Sequence, residues 1–167
     1  MATERLHEVV SGYSREEQEH PLGGYAALMG VFASASAAFC LWVRRSGREL
    51  PERVDVADLA LITVATHKAS RLLAKDRVTS AVRAPFTEFQ AKGGPAEVEE
   101  QARGSGFRRA VGELLICPYC LGMWIATALT AGLTVAPRPT RWVASVLAAH
   151  FGSDVLQAAY KKLEDSV

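Results

Sequence analysis

Residues 23–43 run for 21 positions without one charged side chain, and Arg44-Arg45 closes the run. The hydrocarbon core of a bilayer takes about 20 apolar residues as one helix. In water, such a stretch has to be buried or it drives association. Ala26, Gly30, Ser34 and Ala38 recur at every fourth position of the run and share one helix face. Small residues in that pattern let a second helix approach closely. An alanine-rich buried helix of a soluble core has a similar composition. The length and the basic stop favour a membrane span.

A second run, residues 114–136, is free of charge over 23 positions and ends at Pro137-Arg138-Pro139. Two further stretches are more polar. Residues 56–74 start with Leu59-Ala-Leu-Ile-Thr-Val-Ala but carry His67, Lys68 and Arg71 in their second half. They fit a span or an amphipathic helix lying in the interface. Residues 142–160 contain His150 and Asp154 and close at Lys161-Lys162. Trp142 and Tyr160 at their two ends, and Trp42 in the first run, occupy positions expected of interfacial aromatics. Residues 44–58 read as a polar linker with Pro51 as a breaker. Residues 75–112 form a long polar loop with seven Lys/Arg. Its centre, from Lys92-Gly93-Gly94-Pro95 to Gly106, reads as a flexible connection. Residues 107–116 suggest a short amphipathic helix leading into the next span.

Composition enters through its segregation. The chain is 49% hydrophobic and 22% charged, averages that also suit a soluble protein, but the charge is confined to blocks. A net charge of +1 excludes a general nucleic-acid binder. Three cysteines, Cys40, Cys117 and Cys120, are too few and too odd for a secreted disulfide scaffold. The first 22 residues hold five glutamates against two arginines, unlike the basic start of a signal peptide. No sequence pattern calls for a metal or another cofactor.

With four spans and an inside N-terminus, eleven Lys/Arg fall inside and six outside. The positive-inside rule favours that arrangement, with loop 75–112 and tail 161–167 in the cytoplasm. If 56–74 does not cross, the N-terminus moves outside and the loop stays inside. Helical rise puts Arg71 and Cys117 roughly 6 Å into the bilayer, and Cys120, Asp154 and His67 roughly 10–12 Å in. His150 comes out roughly 16 Å deep.

Three helices thus bring polar groups to the cytoplasmic half. Ionisable side chains inside a membrane are costly, so they face the bundle interior and pair. One of His67, Lys68 and Arg71 is therefore expected to meet Asp154. Such a buried polar cluster, with His150, suits either a proton or small-solute path or an ion pair that orders the helices, with Lys68 snorkelling. Lys75, Arg77, Arg83, Arg108 and Arg109 are candidates for anionic headgroup contact at about 1 kcal/mol each, or for simple topological anchoring.

Cys117-Pro118-Tyr119-Cys120 is the sharpest local motif. Proline is tolerated in a first helical turn, and a cysteine at the N-cap before it gains thiolate character from the helix dipole. That is redox geometry, and the four letters resemble the active site of glutaredoxins without a thioredoxin-like strand pattern around them. A four-helix membrane bundle with a CxxC is also similar to the vitamin K epoxide reductase and disulfide-bond-forming B families. Their pair faces the oxidising side, whereas the Lys/Arg count puts this one on the cytoplasmic side. Metal binding by the two cysteines needs two further ligands, for which His67, His150 and Asp154 are candidates, although no spacing pattern links them. Small, polarizable cysteines packed near Gly122 and Ala126 are the structural alternative.

Several ordered motifs together resemble one family. They are Asp58-Leu-Ala-Leu, Thr66-His67-Lys68, Ser70-Arg71-Leu-Leu-Ala-Lys75-Asp76, Arg83-Ala-Pro85-Phe86 and Gly112-Glu113-Leu-Leu-Ile-Cys117-Pro-Tyr-Cys120-Leu-Gly122-Met-Trp124. They resemble the bacterial membrane family of unknown function that includes the sporulation protein YjcA, over roughly residues 55–160. The resemblance implies a small multi-pass membrane protein, supports a span after Asp58, and makes 23–43 an addition before the family core. It brings no reaction and no cofactor.

The sequence therefore predicts an all-α, multi-pass transmembrane bundle of about four spans in a bacterial inner membrane. Its role is expected to be non-enzymatic and linked to the envelope or sporulation. The alternatives are a thiol-disulfide oxidoreductase using Cys117 and Cys120, and a path through the bundle. Expected partners are the bilayer, anionic lipids, and a second copy or another membrane protein on the small-residue faces.

Overall fold

A computed structural model describes residues 20–166. The acidic start of the chain, up to residue 19 and including Arg5 and Arg15, lies outside the described residues. The described chain is mostly helical and divides into two compact units. One holds the residues up to Ala38 with Lys75–Cys117, and the other holds Phe39–Ala74 with the residues from Pro118 on.

Helix α1 spans Leu22–Arg45, α2 spans Val56–Lys75, and a 3-10 turn at Arg77–Thr79 leads into the single turn α3, Ser80–Arg83. Two strands follow, β1 (Thr87–Lys92) and β2 (Val98–Ala102). Then come α4 (Gly106–Ile116), α5 (Pro118–Val135) and α6 (Pro137–Glu164).

Local chemistry explains the helix ends. Past α1, Gly47 takes a φ of +65°, Arg48 N–H bonds to Val43 O and Gly47 N–H to Arg44 O. This paired closure absorbs the last carbonyls and needs a left-handed residue, here glycine. Asp55 caps α2 by accepting from the Ala57 and Asp58 amides at 2.8 and 3.4 Å. Pro118 and Pro137 open α5 and α6, where a missing N–H costs nothing. Between α4 and α5, Cys117 has extended backbone (φ −102°, ψ 101°), so the uncharged run 114–136 is broken there.

The first unit corrects one expectation. The all-α reading has to admit a two-stranded antiparallel sheet, since β1 and β2 pair from Thr87↔Ala102 to Lys92↔Val98. The expected flexible centre of loop 75–112 is instead a hairpin. Its turn closes by Gly93 N–H to Glu97 O and Glu97 N–H to Gly94 O, with Ala96 at φ +63°. Val98, Glu100 and Ala102 alternate inward while Glu99 and Gln101 stay exposed, the period-two pattern of a half-covered strand. Helix α4 packs on β2 through Gly112, where a Cβ would collide with the Phe86 carbonyl oxygen and lie 2.9 Å from the Ala102 Cβ. The start of α1 joins the same unit: Gly24 abuts Ala110, and Tyr25 donates a hydrogen bond to Glu113.

In the second unit Val43, Ile62, Ala65, Leu121 and Ala144 are buried small-to-medium apolar side chains. Helices α5 and α6 meet across a one-residue connection, with Gly132 so close that a Cβ would lie 2.7 Å from Thr140 Oγ1. At the N-terminal ends of α2 and α6, Arg141 donates two hydrogen bonds of 2.7 Å to the Asp58 carboxylate. Arg48 stacks over Trp42 and donates to Val135 O at 3.1 Å.

Candidate functional site

Two of the helices, α1 and α5, are long and apolar enough to cross a membrane. In each, only 6% of the most apolar window is buried. That burial separates them from the core helix of a soluble protein, which hides most of its apolar surface. Met29, Val31, Leu41 and Trp42 on α1 and Met123 on α5 are exposed. So are Trp142, Val146, Leu156 and Tyr160 on α6. Large apolar side chains left exposed along whole helices mark contact with lipid or with partner protein.

Against that apolar background the polar groups of α2 and α6 converge. Lys68 Nζ donates to Asp154 Oδ2 at 2.7 Å, with the lysine side chain 8% exposed and the aspartate 43%. The lysine stem is covered while the carboxylate keeps an open side. His150, one turn earlier on α6, brings Nδ1 to 3.7 Å from the other carboxylate oxygen. His67 sets its ring edge-on to Phe151, with centroids 5.2 Å apart. His67, Lys68, Arg71, Phe151, Asp154, Val155 and Ala158 line a cavity of about 250 Å³. On α6 these are positions i, i+3, i+4 and i+7, one stripe of a 3.6-residue helix. On α2, His67, Lys68 and Arg71 fall on one arc. The cluster expected from burial cost thus holds a defined contact, Lys68 with Asp154. Phe151, Val155 and Ala158 were not foreseen, although their spacing relative to Asp154 was readable.

The basic groups of segment 75–112 are largely engaged within their own unit. Arg83 is fully buried and donates to Glu100, Thr79 Oγ1, Ser80 Oγ and Asp76 O, so it reaches no headgroup from there. Lys75 pairs with Glu99 at 3.0 Å, Arg108 donates twice to Pro85 O, and Arg109 pairs with Glu113 at 3.0 Å. Arg77 is exposed on the 3-10 turn. Glu100 as the partner of Arg83 was invisible to sequence reasoning, because the two lie 17 residues apart in different elements, whereas Arg109 and Glu113 stand one helical turn apart on α4.

Cys117 sits between α4 and α5 and is half-buried, and Cys120 is exposed in the first turn of α5 beside the exposed Tyr119. Cys40, exposed on α1, is a free thiol. Among the described residues no three His, Cys, Asp or Glu side chains gather as a metal site. At the other end of α2 and α6, the hydrogen bond to Asp58 and that carboxylate's charge hold the Arg141 guanidinium above its ordinary range.

Residues 61–160 match the model of a family described as a protein of unknown function, DUF1360. Over 93 residues the chain is 31% identical to a protein of Bacillus subtilis (strain 168) named sporulation protein YjcA, covering 54% of this chain and 79% of that protein. No solved structure matches the chain. The chain belongs to this family of unknown function.

Proposed function

We propose that this member of the DUF1360 family is a multi-pass protein of the bacterial inner membrane. Its role is non-enzymatic, in an envelope process linked to sporulation. The observation that carries the membrane reading is the exposure of α1 and α5, two long apolar helices with only 6% of their most apolar windows buried. Covering that surface with lipid removes it from water at about 25 cal/mol per Å². The same reading makes α2 and α6 the two remaining spans. Their polar groups are then tolerable in lipid because Lys68 and Asp154 meet each other. The link to sporulation rests on the name of the Bacillus subtilis relative.

In this reading segment 75–112, with the hairpin, α3 and α4, lies on the cytoplasmic side, in keeping with its seven Lys/Arg. Reporter fusions test the arrangement. Alkaline phosphatase should be active when fused after Arg48 and inactive after Lys92 or Lys162, with green fluorescent protein giving the reverse. Release of the full chain by alkaline carbonate would refute the membrane reading. Spore yield from a deletion strain, with and without the restored gene, tests the biological link. Unchanged yield would remove it.

A further inference from the structure

Residues 78–85 turn their side chains the wrong way round for a surface in water. A solvent-facing helical turn shows its polar side chains and hides its apolar ones. Here Thr79, Ser80 and Arg83 are the covered residues, while Val78, Ala81, Val82, Ala84 and Pro85 are exposed. Val78 keeps 82% of its surface open and Val82 keeps 64%. The two stand four positions apart across the 3-10 turn and α3, so they share a face. That face is locked outward. Arg83 is fully buried and donates to Thr79 Oγ1 at 2.6 Å, to Ser80 Oγ at 3.2 Å and to Glu100. Rolling the turn over to cover the valines would part Arg83 from Glu100, and breaking a buried ion pair strands a charge. The polar contacts of the turn therefore hold its apolar side in the open. Arg77, also exposed, stands at the head of the same segment.

We propose that residues 77–85 dock on the cytoplasmic surface of the bilayer, with Val78 and Val82 below the headgroups and the Arg77 guanidinium at the level of the lipid phosphates. Three helices that the membrane reading makes spans end in or beside this unit. Helix α2 stops at Lys75, two residues before Arg77. Helix α1 begins within the unit, with Gly24 against Ala110 and Tyr25 donating to Glu113. Cys117 closes the unit, and α5 begins at the next residue. With the N-terminus inside, all three ends belong to the cytoplasmic surface of the bilayer. That continuity favours lipid over a partner protein as the cover of the exposed valines. Apolar faces that lie in the interface sink about 5–10 Å into the headgroup and acyl boundary, a depth within reach of one helical turn. A basic side chain beside such a face gains from anionic headgroups. The inference rests on the membrane reading and adds to it an element that docks without crossing.

The experiment uses the purified full-length chain in nanodiscs of phosphatidylcholine and phosphatidylglycerol, with no other membrane protein present. A nitroxide carried by para-acetylphenylalanine is placed in turn at Met29 on α1, at Val82, and at Gln101 on β2, all exposed positions. Paramagnetic resonance compares collisions with oxygen, which partitions into hydrocarbon, and with a water-soluble nickel chelate. Oxygen should dominate at positions 29 and 82, and nickel at position 101. Val78→Asp should abolish the oxygen excess at position 82 and leave that at position 29 unchanged, while Val78→Leu retains both. Both substitutions fall on an open surface, so melting should not change. Nickel dominance at position 82 with oxygen dominance at position 29 overturns this proposal and leaves the membrane reading standing. Shielding of position 82 from both probes assigns the face to protein and also overturns it. An oxygen excess at position 82 that survives Val78→Asp overturns the docking face. Nickel dominance at both 29 and 82 overturns the membrane reading, and the proposal with it.

Discussion

Replacing the two ends of the Lys68–Asp154 pair separately should give unequal costs. The ammonium is almost fully covered, at 8% side-chain exposure, and the carboxylate keeps 43%. Breaking a fully buried pair by removing one partner costs about 3–5 kcal/mol, and an exposed pair contributes about 0–1 kcal/mol. Polar contacts between helices in bilayers reach about 1.7 kcal/mol at most. Asp154→Leu strands the covered ammonium, and its cost should fall near 2.5 kcal/mol, between those limits. Lys68→Met keeps the packed stem and leaves a half-exposed carboxylate with His150 Nδ1 3.7 Å away, for about 1 kcal/mol. The double variant puts two apolar side chains in contact and should cost about 2 kcal/mol, giving a coupling near 1.5 kcal/mol. On the scaling of soluble chains of 150–250 residues, Asp154→Leu then lowers Tm by about 5–10 °C. Tryptophan fluorescence melting of the detergent-solubilised protein reads all three variants, and Trp124, Trp142 and Trp42 supply the signal. Costs that add to within about 0.5 kcal/mol would refute the pairing. A Lys68→Met cost larger than that of Asp154→Leu would refute the burial asymmetry.

Four further outcomes follow from the two units. Arg83→Lys should unfold the hairpin nearly as well as Arg83→Ala, because one ammonium cannot reproduce a fork that reaches Glu100, Thr79, Ser80 and Asp76 O together. Hydrogen exchange of the β1 and β2 amides, accelerated in both variants, checks it. Gly112→Ala should destabilise the same unit by about 1–3 kcal/mol despite better helix propensity, since the added methyl meets Phe86 O and Ala102. Gly30→Ala, with open space around it, should be neutral or slightly stabilising, and limited proteolysis of the two glycine variants reads the difference. Arg141→Gln should lower the melting temperature more at low salt than at high salt, because the Asp58–Arg141 pair is partly exposed and screening weakens such pairs.

What the sequence made legible follows the range of the forces involved. The helix over residues 23–43, and most of the one expected over 114–136, which Cys117 breaks near its start, could be read because an uncharged run of bilayer length has few other uses, and that property is written in consecutive letters. The meeting of Lys68 with Asp154, 86 residues apart, was reachable for a different reason. The cost of a lone charge in an apolar bundle narrows the choice of partners to the few that lie at its depth. The hairpin escaped because Gly93-Gly94-Pro95 is equally good as a linker and as a turn, and only pairing decides between them. Its alternation, Val98, Glu100 and Ala102 inward, is spoiled for a reader by a glutamate at a core position. That glutamate becomes acceptable once Arg83 is buried against it, and Arg83 is acceptable there only because of Glu100. Neither residue predicts the other from sequence, since in a polar segment solvent offers each an inexpensive alternative. On the membrane reading proposed above, a bilayer removes that alternative for Lys68 and Asp154. On that reading, the same physics that hides the Arg83–Glu100 pair from a sequence reading exposes the Lys68–Asp154 pair, and it directs the search for function to α2 and α6.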